Sequence, residues 1–380
     1  MKKEEVASPA AATVVLLLLS SSLAAVSGQP QPQPQPGGSK QTAANNPRLQ
    51  KAYVALQALK RAVTEDPKNL TRSWCGPDVC GYFGVYCAAA PDEPRAQTVA
   101  GVDLNHGDLA GTLPEELGLL ADLALLHLNS NRFAGTLPES LPKMRLLHEL
   151  DVSNNRLSGG FPQHILCLPN VKYVDLRFNE LRGPVPPALF DKPLDAVFLN
   201  DNAFDFELPD SLGNSPASVL VLANLRLRGC IPRSVGRMAG TLAELVALNS
   251  GLRSCLPQEL GWLRELTVLD LSSNQLQGML PESMAGMHSL QQLHVARNEL
   301  WGHVPEGVCA LPALRNFTYS YNYFCSEPSR CLDVRHVDDR QNCIAARPDQ
   351  RPADQCLAFL HRPPVRCDDS GCFAPPPPHY

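Results

Sequence analysis

The chain has 380 residues, 44% of them hydrophobic and 19% charged, with a formal net charge of −5. That content supports a buried core and excludes a disordered chain, and the mild negative balance excludes a nucleic-acid binder driven by phosphate neutralisation. Thirteen cysteines argue against a reducing cytosol and for an oxidising, extracellular compartment.

Lys2 and Lys3 precede an apolar run, Val14 to Leu19, which ends near Ala25-Val26-Ser27-Gly28. This predicts a secretory signal peptide over 1–28, since a signal anchor needs a longer apolar span. No second run approaches membrane length, so no transmembrane segment is expected. Residues 29–46 open with alternating Gln and Pro and read as a spacer without a core. Leu49, Tyr53, Leu56, Leu59 and Val63 recur at helical steps, so a helix is predicted from Pro47 to Val63, stopped by Asp66-Pro67. Cys80 and Cys87 then bracket a short loop. Residues 47–98 therefore form an N-terminal cap. Asn69-Leu70-Thr71 and Asn316-Phe317-Thr318 are glycosylation acceptors in a secreted chain, on Asn69 and Asn316.

From Val99 the chain repeats. A Leu-Pro-like pair places proline at 114, 138, 162, 186, 209, 232, 257, 281 and 305, at intervals of 23 to 25 residues. Each repeat carries an alternating apolar pair, as in Leu126/Leu128 and Leu269/Leu271, which makes a short strand. Three residues later comes Asn in seven repeats: Asn131, Asn155, Asn179, Asn202, Asn274, Asn298 and Asn322. This is the mark of leucine-rich repeats. The expected fold is an α/β repeat, a right-handed leucine-rich repeat solenoid of plant extracellular type. It has a helical, disulfide-bonded N-cap, nine full repeats plus a partial tenth over 99–331, and a Cys-rich C-terminal segment over 332–374. The cap resembles those of plant extracellular repeat proteins: amphipathic helix, Asp66-Pro67, Ser73-Trp74, then two cysteines around Gly84-Val85.

Gly107, Leu225 and Ser250 break the asparagine ladder, so coils six and seven are expected to be less regular. Cys230 and Cys255 hold equivalent positions in those coils. Strands stack about 4.8 Å apart, within disulfide reach, which predicts a Cys230–Cys255 bridge rather than two buried thiols. Cys309 and Cys331 are near-equivalent in coils nine and ten and are expected to close the far end. Cys343, Cys356, Cys367 and Cys372 supply two further bridges of open pairing, with Cys75, Cys167 and Cys325 left over. An odd cysteine leaves a chain-to-chain link, and so a homodimer, open.

No phosphate-binding loop, dinucleotide fingerprint, H-E-x-x-H or G-x-S-x-G occurs, and His127 and His294 have no partner pattern. No paired CxxC suggests zinc. Spaced aspartates read as a repeated surface position rather than a glycosidase pair. The chain is thus read as a non-enzyme without cofactor or metal. The third, fifth, seventh and eighth residues of each coil face the concave side. They include Asp103, Glu149, Asp151, Asp175, Asp201, Glu244 and Asp270, against Arg177 and Arg297, with Tyr173, Phe178, Phe198 and Tyr321 between them. Charged residues also keep a sheet soluble, but exposed Phe178 and Phe198 have no such purpose. The set predicts a basic partner anchored by rings.

Residues 99–106 (VAGVDLNH), 175–180 (DLRFNE), 194–198 (LDAVF) and 316–322 (NFTYSYN) resemble the leucine-rich repeat extensins of plant cell walls. The resemblance runs from about Pro47 to Cys372. It implies a wall-associated regulator of wall assembly and cell growth. It also implies secreted, basic, cysteine-rich peptides of the rapid alkalinization type as ligands, and wall polymers as partners of a proline-rich tail. An inhibitor of wall-degrading glycosidases and a purely structural wall glycoprotein are the alternative readings. Three positions depart from the family pattern. The proline-rich region is expected only at 375–380, preceded by Ala374 in place of serine; Ala134 stands where related chains often have Cys; and Leu225 and Ser250 replace the ladder asparagine.

Overall fold

The computed structural model describes residues 41–362, 367–368 and 371–373. The expected signal peptide, most of the spacer and the proline-rich stub lie outside the described residues.

The cap begins with the helix Pro47–Ala62, whose first turn is held by the Asn46 side chain accepting from the Arg48 and Leu49 amides. Proline at the first helical position and Lys60 and Arg61 in the last turn suit the helix ends. The helix stops one residue short of Val63, because Val63–Glu65 becomes a strand paired antiparallel with Ala110–Thr112. The Asp66 carboxylate then accepts from the Leu70 and Thr71 amides at 2.9 and 2.8 Å, tying the turn that follows. Trp74 is fully buried, donates to the Phe83 carbonyl at 2.9 Å and stacks on Tyr82. Cys80 is bonded to Cys87.

A typical coil runs from a three-residue strand through an asparagine turn and a second short strand to a proline-led 3-10 turn. The first strands form one twelve-stranded sheet from Val85–Ala90 to His336–Asp338, parallel throughout except for its opening antiparallel pair. The sheet therefore continues beyond residue 331. Middle residues such as Leu126, Leu150, Val174, Leu269 and Phe317 point into a single core.

The ladder asparagines work as donors and acceptors at once. Asn155 Nδ2 donates to the carbonyls of Leu128 in the preceding coil and Val152 in its own, and its Oδ1 accepts from the Phe133 amide at 2.9 Å. Leaving such buried groups unpaired costs about 1–3 kcal/mol each. Gly107 has no room for such a side chain, since a Cβ there would stand 2.9 Å from Leu70 Cδ1 of the cap and 2.7 Å from Asn131 Oδ1. At coil seven Ser250 Oγ stands in, 2.6 Å from the Leu222 carbonyl and 3.0 Å from that of Leu248. At the far end Asn342 adds a further rung, donating to the Tyr319 and Asp339 carbonyls.

The second strands form a seven-stranded sheet ending at Arg226–Arg228 and a three-stranded sheet starting at Gln277–Gly278. The gap between them falls at coil seven, and the C-terminal segment crosses it. Cys230 is bonded to Cys372 and Cys255 to Cys367, which corrects the expected Cys230–Cys255 bridge. The two coil cysteines lie on one edge, as their register requires, but each takes a partner from a segment that folds back over both. The Cys255 amide donates to the Gly371 carbonyl at 3.0 Å and Arg253 lies over the Phe373 ring. Cys309–Cys331 and Cys343–Cys356 close the end of the array, while Cys75, Cys167 and Cys325 are unbonded and exposed. Before the latch, the helix Ala353–Leu360 is held by Phe359 stacked on Tyr323 at 3.7 Å, between the guanidinium groups of Arg351 and Arg362.

Candidate functional site: the concave sheet

Strand register sorts the concave face into rows. One row reads Gly101, Leu125, Glu149, Tyr173, Ala196, Val219, Glu244, Val268, Gln292, Asn316, His336. The next reads Asp103, His127, Asp151, Asp175, Phe198, Val221, Val246, Asp270, His294, Thr318, Asp338. The predicted acids do share one surface, but they differ in burial.

Asp175 has no exposed surface, Phe198 is only 7% exposed, and Asp270 and Arg177 are buried too, which corrects their expected solvent-facing placement. Around Asp175 and Phe198, side chains of coil four and coil five pack on one another. The Tyr173 and Phe198 rings are 5.4 Å apart, and the Arg177 guanidinium sits 5.0 Å from the Phe198 centroid. Beneath them Arg177 Nε lies 3.1 Å from Asp175 Oδ2, to which the Tyr173 hydroxyl donates at 3.3 Å. Burial, reinforced by the Asp151 charge, pushes the Asp175 carboxyl up to about 8 despite Arg177. Burial also raises Glu244 to about 7. These two carboxyls therefore add to the negative field only above neutral pH.

Asp103, Glu149, Asp151 and Asp201 are half-buried, on the open side of this knot. Glu149 Oε2 meets His127 Nε2 at 3.0 Å. That contact lowers the Glu149 carboxyl; burial works to lower His127, but Glu149 and the charges of Asp151 and Asp103 outweigh it and raise the imidazole.

The eighth residue of every coil has left-handed backbone, with φ of 57° at Ser130, 52° at Asn154 and 55° at Asp201. Small polar residues favour this conformation and fill the position in six coils, while His106 and Arg297 take it in two more. Phe178 nevertheless holds it at 52° while 38% exposed, and Tyr321 holds it at 59° beneath the Arg297 guanidinium.

One part of the surface escapes the coil count. Tyr86 pairs with Gly101 and Gly101 with Leu125, so the 60%-exposed tyrosine and the 37%-exposed leucine flank a bare glycine. A Cβ on Gly101 would stand 3.5 Å from that of Tyr86. The antiparallel hairpin that brings Tyr86 here precedes the first repeat, so periodicity carries no signal for it. Among the described residues no cluster of His, Cys, Asp or Glu is arranged to hold a metal ion, and no helix is long and apolar enough to cross a membrane.

Models of known families match at the leucine rich repeat N-terminal domain over residues 50–88 and at leucine rich repeats over 146–168 and 256–300. Leucine-rich repeat extensin-like protein 6 of Arabidopsis thaliana is 60% identical over 331 residues, which cover 87% of this chain and 70% of that protein. The chain belongs to the leucine-rich repeat extensin-like family. Extensin-like protein 3 of the same plant is 58% identical over 88% of this chain, which spans 44% of that longer relative. Among solved structures, this extensin-like chain is similar to the ectodomain of the Arabidopsis receptor kinase HAESA, in complex with the peptide hormone IDA and the co-receptor SERK1. The TM-score is 0.64 at 26% identity, over 77% of this chain and 54% of that one. A plant ice-binding protein shares the fold at a TM-score of 0.65 and 24% identity, over 78% of this chain and 99% of that one. Both family and structural likeness are to non-catalytic repeat domains.

Proposed function

We propose that this protein acts outside the cell, associated with the cell wall, and regulates wall formation and growth by binding basic, cysteine-rich signalling peptides on its concave face. The observation that carries this reading is Phe178, a large ring kept exposed on backbone that disfavours it, in the coil between those that bear the acids Asp151 and Asp201. Strain of this kind costs about 1–3 kcal/mol and persists where surrounding structure and use sustain it. Aromatic anchors within a field of one sign suit a cationic partner. The peptide hormone carried by the HAESA repeat domain, and the five disulfides among the described residues, support an extracellular peptide binder.

The test is titration of the purified protein with basic cysteine-rich peptides of the rapid alkalinization type. Saturable binding is expected, weakened by raised salt and by Asp151→Lys with Asp201→Lys. Absence of saturable binding at low salt overturns the reading. Asp175 is unsuited to such a test, because reversing a fully buried carboxyl beside Arg177 disturbs the fold itself.

A further inference from the structure

The C-terminal end of the concave sheet differs from the rest. The candidate acids Asp103, Glu149, Asp151, Asp175, Asp201, Glu244 and Asp270 all precede coil nine. Coil ten presents Asn316-Phe317-Thr318 as one of the sheet's three-residue strands. Phe317 is fully buried, so strand alternation turns Asn316 and Thr318 to the open face. Thr318 Oγ1 is fixed against His294 Nδ1 at 2.7 Å. Asn316 lies between Gln292 and His336 in its row, with no carboxylate on either side in that row. The other acceptor sequence, at Asn69, is on an exposed turn of the cap and off the sheet.

We infer that Asn316 carries an N-linked oligosaccharide that covers the concave face at coils nine to eleven and confines any ligand to the coils before them. An attached glycan is bulky and hydrated, and on a sheet whose strands are about 4.8 Å apart it overlies the neighbouring rows rather than its own strand alone. Asp175 is six strands away, about 29 Å, so the acidic aromatic region stays clear. The modification joins the first sugar to Asn316 Nδ2, with loss of the lipid pyrophosphate that carries the glycan in the secretory pathway. The confinement of a ligand rests on the peptide-binding reading above; the modification and the shielding do not.

The full chain is expressed through a plant secretory pathway and its glycans are released enzymatically in heavy-oxygen water, which converts an occupied Asn316 to labelled Asp. Conversion at Asn316 is expected, and its recovery as unmodified Asn overturns the inference. Shielding is read separately, from the rate at which diethylpyrocarbonate modifies His336 in folded protein. Trimming the glycan, or the variant Asn316→Gln, is expected to raise that rate severalfold, and an unchanged rate overturns the covering role. With the glycan in place, amides protected from hydrogen exchange by a basic cysteine-rich peptide are expected only before coil nine; protection of the Asn316–Thr318 strand in the glycosylated protein overturns the confinement. If no such peptide binds, the peptide-binding reading fails while the first two measurements still decide the glycan.

Discussion

Coils two to five and coils six and seven share one period but are closed by different means. In the first group every turn has its asparagine, and each side chain satisfies carbonyls in two coils, as Asn131 does with Leu104 and Leu128. In the second, Leu225 offers nothing, Ser250 reaches with one hydroxyl, the outer sheet breaks, and two disulfides carry a distant segment across the gap. A repeat array needs neighbour contacts at each interface, but the contacts need not be of one kind. Where hydrogen bonding thins, a covalent link between remote parts of the chain takes its place.

That contrast is open to experiment, beginning with the largest effect. Replacing Cys367 and Cys372 by Ser opens loops of 112 and 142 residues. Loop-closure entropy puts the loss at about 5 kcal/mol for one such link. Hydrogen exchange should quicken in coils six and seven and stay unchanged in coils two to five; uniform quickening would mean the array responds as one unit. Asn155→Ala removes donors from three carbonyls and the acceptor of the Phe133 amide, and should cost about 3 kcal/mol in urea unfolding. Ser250→Ala, with one hydroxyl at stake, should cost about 1 kcal/mol, and equal losses at the two sites would erase the distinction.

Asp175 gives a pH test. Its folded pKa of about 8 lies above the ordinary 3.8, so the folded state binds the extra proton between those values. Its contribution is fully present below about pH 4 and is lost as pH rises through 8. The melting temperature of the native protein should therefore fall across that window more steeply than that of Asp175→Asn; parallel curves would contradict a protonated Asp175. The smallest effect is expected at Phe178→Asn, which places there the residue that Asn154, Asn224 and Asn249 already supply in the same conformation. Stability should rise by about 1 kcal/mol while peptide binding falls. A variant that is no more stable would show that the ring is supported by its neighbours and not strained.

Much of the fold was legible because a fixed period assigns every residue a place: Asn131 and Leu126 each follow from counting. Counting also put the acids on one face. It failed where the answer depends on what nearby side chains, in the same coil or the next, place on top. Asp175 and Phe198 occupy open positions by register and are buried by Tyr173 and Arg177. Tyr86 joins the face through a hairpin outside the repeat. The cysteine pairing escaped for a similar reason, since Cys367 and Cys372 lie in a segment whose path no periodicity describes.

The latch at Cys230 and Cys255 also decides how force enters the molecule. Phe373, the last of the described residues, lies at the middle of the array and not at its last coil, and on the outer edge rather than the concave sheet. Tension applied there would be borne by two covalent bonds on coils six and seven, and between that point and the N-terminal cap the coils after seven would lie off the line of pull.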